Sequence, residues 1–499
     1  MYRKSFITGA TFSYIHVFLY FFTGLLVTPV LLGHFGRDYF SLLMLIYAII
    51  AYINNIKLGL PESLAMLVAK QSNTELSKFQ IKKSFLILTI VACLALSIIL
   101  LTGTLITDWR VILGGVYQLE EDIVLEVLYV LVAFSLIKIP LDLSLSVYVG
   151  FNDVYLEKIY RSINLIVNLL LVLFVVQNNH NIIFFAWSAA IADLLVSLVS
   201  FVHALFKYKI YRSAWHSANF RATRLLRSGI DFFQLNITQA IVLGAGIFLV
   251  SHLLSLESVA TYSLTMKVYA FIFYAFTIIN TVIAPLYGKC IANNDHQVIN
   301  KVFNVSILLL PFVGGVIWIV TIVFMRHAIL LWTSSEHFFI GNYFVVFMGL
   351  FLYTVGYIYS YITLISSFGK VSSIHSIRWV EGLFGFFLSF ILVHYIGVSG
   401  IAIGLSSASL LISMRYMPIH VRKVASINLD FSTHKKHFFV VLLPSIIAAL
   451  IIVEFYDSIW EGIIASVILL AFYSVASWKQ LGLEDRRDII KHLFSYKMR

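Results

Sequence analysis

The chain has 499 residues, 60% of them hydrophobic and 12% charged, with a mean hydropathy of +0.93. Soluble domains of that length are not so apolar, and apolar stretches of about twenty residues recur from end to end, as in membrane-spanning helices. The net charge of +11 would suit a nucleic-acid binder, but the basic residues are distributed as a topology signal, which excludes that class.

In chain order, spans are predicted over residues 11–33, 40–66, 84–106, 123–146, 160–177, 182–205, 231–254, 258–286, 302–325, 339–365, 378–396, 398–420, 438–456 and 459–479. The two-residue period of barrel strands is missing from them. The predicted fold class is therefore an all-α polytopic membrane protein of about 14 transmembrane helices. The first helix follows Arg3 and Lys4, lacks a small-residue cleavage site and is long enough to span, so it reads as retained. His16, alone within it, is either a hydrogen-bonded packing residue or a proton relay.

The second helix turns polar late, in INNIKLGLPES, which contains Asn54, Lys57, Pro61 and Glu62. In a regular helix Asn54, Lys57 and Pro61 share a face, with Tyr47 earlier in the same segment. An ammonium at mid-membrane costs roughly 2.5–3.5 kcal/mol. Lys57 therefore either faces a wet cavity or snorkels to the headgroups, paired with Glu62. In the fourth helix Lys138 precedes Asp142 by four residues, a spacing that permits a pair on one helical face, so the two are either a structural pair or part of a site. Asp193 lies in the sixth helix. The linker over 206–230 carries Lys207, Lys209, Arg212, Arg221, Arg224 and Arg227 and reads as a surface segment on anionic headgroups.

Asp231 opens the seventh helix, where a carboxylate suits the positive end of the helix dipole. The eighth carries Lys267 about nine residues, or ~14 Å, below its outer end, followed by Phe271, Tyr274, and then Asn280, Thr281 and Pro285 in TIINTVIAPLYG. Pro29, Pro140 and Pro311 join Pro61 and Pro285 as kink positions that either shape packing or act as bending points. Arg378 and Glu381 sit one turn apart at the start of the eleventh helix, and Gly397 leaves almost no loop before the twelfth.

All but six of the 35 Lys and Arg fall in segments that are cytoplasmic if the amino terminus is. The six are Arg37, Arg110 and Arg326 outside and the three lysines within spans. Acidic residues gather outside, at Glu120, Glu121, Asp122 and Glu126, and again at Glu454, Asp457 and Glu461. This predicts both termini in the cytoplasm. Trp109, Trp332 and Trp460 near outer helix ends, and Trp215, Trp379 and Trp478 near inner ones, fit an aromatic belt. Cys93 and Cys290 predict no disulfide or metal chemistry. No nucleotide-binding or metalloprotease motif is present, so neither cofactor nor metal is expected.

A shift of 222 residues lays FSLLMLIYAI over YSLTMKVYAF, with Ser41/Ser263, Leu42/Leu264, Met44/Met266, Tyr47/Tyr269 and Ala48/Ala270 identical. An even number of helices separates the copies, so the repeats run parallel. Two six-helix lobes, 1–215 and 216–425, are then expected around a central cavity, with 426–499 as an extra helix pair and tail. The same register brings the irregular second and eighth helices into correspondence.

These repeats, the segment LVTPVLLGHFGRDYFSLLMLIYAIIAYINNIKLGLPES and its counterpart LVSHLLSLESVATYSLTMKVYAF resemble the polysaccharide flippases, O-antigen type, of the multidrug/oligosaccharidyl-lipid/polysaccharide exporter superfamily. The resemblance implies a flippase in the bacterial inner membrane, not an enzyme. Its substrate would be an undecaprenyl-diphosphate-linked oligosaccharide, carried by alternating access. The lipid II flippase of that superfamily carries cavity cations on its first, second and eighth helices. Lys57 and Lys267 fit the second and eighth, whereas the core of the first has neither Arg nor Lys. The expected substrate contacts are Lys57, Lys267, Asn54, Lys138, Tyr47 and Asn280, with Arg37, Pro61 and Pro285 as gate candidates. Asp142, Asp193, Glu62 and Glu381 are candidates for coupling to H+ or Na+. A polymerase and a chain-length regulator are the expected protein partners. Two other readings stay open, a cation-coupled multidrug exporter of the same fold and an integral-membrane glycosyltransferase or polymerase.

Overall fold

A computed structural model describes residues 2–71, 75–105, 113–114, 119–212, 222–292, 295–425, 443–455, 464–465, 467–473 and 475. Among these residues there are helices and no strand. The helices are α1 (Tyr2–Ile53), α2 (Leu60–Gln71), α3 (Glu75–Leu105), α4 (Glu121–Leu141), α5 (Leu143–Gly150), α6 (Val154–Gln177) and α7 (Ile182–Lys207). After the linker come α8 (Ala222–Leu253), α9 (Leu256–Ala292), α10 (His296–Thr333), α11 (Asn342–Ser367), α12 (His375–Ile396), α13 (Ser399–Ala408), α14 (Met414–Ala425) and α15 (Leu443–Phe455). The described part of 464–475 is also helical.

Each of the fourteen segments predicted to span is helical over most of its described length. Ten stretches among the described residues are long and apolar enough to cross a membrane. The chain is a multi-pass membrane protein. It forms two compact units, Met1–Ser263 and Leu264–Arg499, so α8 packs with the first.

The first unit departs from regular helix where its chemistry lies. Gly36, at φ 77, breaks α1 into the two predicted spans. The second of these stops at Ile53, continues as a 3-10 turn over Asn54–Lys57, and then passes through Leu58 at φ 53 and Gly59 at φ 63 before α2 begins. Left-handed backbone costs a leucine about 1 kcal/mol or more and persists only where its surroundings hold it. Here a glycine pair does so. A Cβ on Gly59 would lie 2.1 Å from the Gly229 carbonyl oxygen of α8, and one on Gly229 would lie 2.7 Å from that of Leu58. Two residues without side chains let the backbones touch.

The break corrects two expectations. Asn54, Lys57 and Pro61 do not share one helical face, because the helix ends between Lys57 and Pro61. Pro61 is also not the cause of the irregularity. It sits in the first turn of α2, where its missing N–H would have had no helical partner. In the eighth segment, by contrast, α9 runs unbroken from Leu256 to Ala292. The side chains of Tyr274, Asn280, Thr281 and Pro285 lie outside the described residues, as do those of Arg221 and Arg224. Trp109, Arg110, Trp215, Asp457, Trp460, Glu461 and Trp478 lie outside them altogether.

The second unit is built on close packing. Gly397 and Val398 turn the chain between α12 and α13. A Cβ on Gly400 would meet the Leu392 carbonyl carbon at 2.5 Å, and one on Gly404 would meet Ser389 Oγ at 2.2 Å. The two-residue turn thus works because small residues let the two helices nest. α11 is buried along nearly its whole length. The terminal helices are fastened to its neighbourhood: Tyr473 donates to the Pro311 carbonyl of α10 at 2.9 Å and stacks on Phe312, and Tyr343 of α11 donates to Glu454 of α15 at 2.7 Å.

Candidate functional site

The polar residues of the first unit meet in a seam along α4–α7. The 3-10 turn delivers Lys57, whose Nζ is 3.1 Å from Asp142 Oδ2. Asp142 sits at the junction of α4 and α5, its backbone N–H bonded to the Lys138 carbonyl at 3.0 Å. The Lys138 side chain crosses to α7, where Nζ is 2.6 Å from Asp193 Oδ2. Asn164 of α6 donates to the other oxygen of Asp193 at 2.6 Å, and Ser197, one turn after Asp193, donates to Asp142 at 2.9 Å. Asp142 feels both lysines, so two ammoniums and two carboxylates form one neutral cluster.

The pairing corrects two further expectations. Lys138 bonds Asp193 and not Asp142, although the i, i+4 spacing permitted the latter. A lysine placed before its acid is the weaker orientation on a helix, and Asp142 stands at the end of α4, free to turn toward α7 and Lys57. Glu62 does not bind Lys57 either. It is exposed and accepts from Asn236 of α8 at 3.2 Å.

Beside Asp142 and Lys138 lies a cavity of about 70 Å³, also lined by Tyr160, Arg161, Asn164 and Ser197. Its polar walls and size suit more than one water molecule. It can hydrate the charges. The four charged side chains are neither sealed nor free: Lys57 is 19% exposed, Asp142 15%, Lys138 21% and Asp193 31%. The seam continues through Ser144 and Ser200, 2.8 Å apart, to Tyr148, Tyr160 and His203, with Tyr160 Oη 2.8 Å from His203 Nδ1. Past the end of α7, Tyr208 donates to Asp153 at 2.6 Å, and burial pushes its phenol well above the ordinary range.

Other predicted residues are placed as follows. Asn54 is exposed on the 3-10 turn, and Tyr47 is 38% exposed within electrostatic reach of Asp193. Lys267 is partly buried on α9 in the second unit. Arg37 forms an ion pair with Glu257 at the start of α9. His16 is buried and shares a hydrogen bond with Ser162. Glu381 is buried in the second unit, where Arg378, Ser413 and, at 2.5 Å, Ser409 donate to it. The two serines come from a π-helical turn, Ser409–Ser413, between α13 and α14. The Arg378–Glu381 pair therefore ties α12 to this turn and does more than anchor one helix end. Cys93 and Cys290 are both free thiols.

Sequence reasoning missed Asn164, Ser197, Arg161, Tyr160 and Asn168. The signal was there, since Tyr160, Asn164 and Asn168 recur every four residues on an otherwise apolar helix. A polar stripe in a span marks a face turned from lipid.

The fold is that of the MATE-type transporters. Residues 235–392 match the MatE family model. Among curated proteins no sequence match is found. In solved structures, an inward-facing multidrug resistance MATE family transporter of the MOP superfamily aligns at TM-score 0.64 and 13% identity, over 81% of this chain and 95% of its own. The lipid II flippase MurJ, inward closed, aligns at TM-score 0.63 and 14% identity, over 97% of this chain and all of its own. A MOP superfamily transporter from Pyrococcus furiosus, described as having a binding pocket of reversed polarity, aligns at TM-score 0.63 and 14% identity, over 85% and 96%.

Proposed function

We propose that the chain is a flippase that moves undecaprenyl-diphosphate-linked oligosaccharide units from the cytoplasmic to the outer leaflet of the bacterial inner membrane by alternating access. One observation carries the choice of cargo. The likeness to the lipid II flippase extends over 97% of the chain, whereas those to the multidrug MATE transporter and the Pyrococcus protein reach 81% and 85%. The lysines agree with it. Lys57 and Lys267 are cations within apolar spans, and a diphosphate is the kind of group that ammoniums in a hydrated setting hold.

In this reading Lys57 and Lys267 meet the diphosphate in turn, Asn54 and Tyr47 contact sugar, and the polyprenyl tail stays in lipid. An anionic head group moving outward runs down an inside-negative potential, worth about 2.3 kcal/mol per elementary charge per 100 mV. That drive supplements any gradient of H+ or Na+. A polymerase and a chain-length regulator would take over the flipped unit.

The multidrug-exporter reading draws on the MatE match and on the carboxylates Asp142 and Asp193, which could hold an organic cation. A transport assay separates the two. The double variant Lys57→Ala/Lys267→Ala, reconstituted in vesicles, is expected to insert normally and to lose flipping of a fluorescent polyprenyl-diphosphate saccharide. Undiminished flipping in that variant would overturn the flippase reading, and efflux of an organic cation by the wild type would replace it with the exporter.

A further inference from the structure

Four acids were candidates for coupling, and their surroundings separate them. Glu381 is sealed among an arginine and two serines, and Glu62 is exposed against Asn236. Asp193 is held by Lys138 and Asn164, both at 2.6 Å. Asp142 alone among the four holds Lys57, at the looser distance of 3.1 Å, and it lines the cavity.

We propose that Asp142 is the carboxylate displaced from Lys57 when a diphosphate head group binds, and that it takes up one proton in the same step. The proposal rests on the flippase reading through Lys57. A diphosphate offers an ammonium several charged oxygens where Asp142 offers one, so Lys57 exchanges partners at small cost. Asp142 then keeps the Ser197 hydrogen bond and the field of Lys138, but the Lys138 ammonium is already committed to Asp193. The arriving anion adds like charge nearby. Loss of a cation and gain of an anion both favour the neutral acid. Water in the cavity can deliver the proton to Oδ2, the oxygen that Lys57 leaves, while Lys57 stays protonated throughout.

The charged and titratable groups around Asp142 leave this balance intact. On α6, Arg161 and Lys158 bind Glu157, and Tyr160 bonds His203 of α7. On α5, Tyr148 donates to the Ser200 carbonyl. On α3, Lys78 pairs with Glu75, Lys82 donates to the Tyr211 carbonyl and Lys83 lies over Phe79. On α1, Tyr47 lies within electrostatic reach of Asp193. Lys57 and Lys138 are the cations that act on Asp142 itself.

The sign follows from linkage. Asp142 is ionised before binding and neutral after it, so binding consumes a proton and weakens as pH rises, by up to about tenfold per pH unit. The test is titration calorimetry on the purified full chain with farnesyl diphosphate, repeated in buffers of different ionisation heat to count protons. Inorganic diphosphate and farnesol serve as arms that separate a free phosphate site from a lipid-linked one. Wild type is expected to take up about one proton per ligand more than Asp142→Asn, whose affinity varies with pH only through the ligand. The ligand's own phosphate ionisation, near pH 6, is common to both and cancels in the comparison. Ser197→Ala removes a hydrogen bond to the charged carboxylate and is expected to move the uptake window to higher pH. It remains a test if Asp142→Asn fails to fold.

Uptake that persists unchanged in Asp142→Asn, or a window unmoved in Ser197→Ala, would overturn the proposal. If Lys57→Ala still loses binding in that case, the flippase reading stands. Wild-type affinity in Lys57→Ala would overturn both. Binding of inorganic diphosphate as tight as that of farnesyl diphosphate, with the same proton uptake, would keep Asp142's role and overturn the lipid-linked cargo.

Discussion

In the first unit Lys57, Asp142, Lys138 and Asp193 keep 15–31% of their side chains exposed beside a polar cavity, whereas in the second Glu381 is 1% exposed and accepts from three donors. The same chemical pair, a cation and a carboxylate, serves opposite ends. A sealed pair with every oxygen satisfied resists partner exchange, because a lone buried charge has nowhere to go. A hydrated pair can exchange, since water and a neighbouring charge cushion the intermediate. The backbone follows the same division. The first unit breaks its second span at Asn54–Gly59, and the second packs glycine against neighbouring helices without interrupting α11.

The sharpest way to break this contrast is Glu381→Ala, which strands the Arg378 guanidinium. It should destabilise the protein by about 3–5 kcal/mol, read as a large drop in melting temperature in detergent. A small drop would mean that the site is hydrated like that of the first unit. Next comes Gly59→Ala, which places a methyl against the Gly229 carbonyl on left-handed backbone. About 3 kcal/mol is expected, and retention of wild-type melting would show that the α2–α8 contact yields easily. Asp142→Asn should cost only about 1 kcal/mol, because Lys57 can turn to cavity water; a loss as large as that of Glu381→Ala would erase the distinction. The smallest effect is predicted for Pro61→Ala, about 0.5 kcal/mol with flipping retained, since the proline fills a helix start. Abolished flipping there would restore Pro61 as a gate.

Much of the fold was legible because hydropathy is local. Fourteen apolar segments could be counted without knowing their neighbours, and each is helical over most of its described length. The irregularity near Lys57 was legible as a place but not as a geometry. Its proline drew the eye, while the left-handed Leu58 and Gly59, held by Gly229 of a helix 170 residues away in sequence, made the break. The ion pairs were legible as a set of charges and not as partners. Lys138 and Asp142 satisfied the helix spacing rule, yet Lys138 reaches Asp193 on α7 and leaves Asp142 to Lys57. The stripe Tyr160, Asn164, Asn168 on α6 would have pointed to that face.

The sequence by itself determined that this is a helical membrane protein with three lysines inside its spans, because composition and period suffice to decide what lipid will tolerate. Only the tertiary structure decided which carboxylate each of Lys57 and Lys138 meets. A long side chain can reach several acids on different helices, and helix packing selects among them.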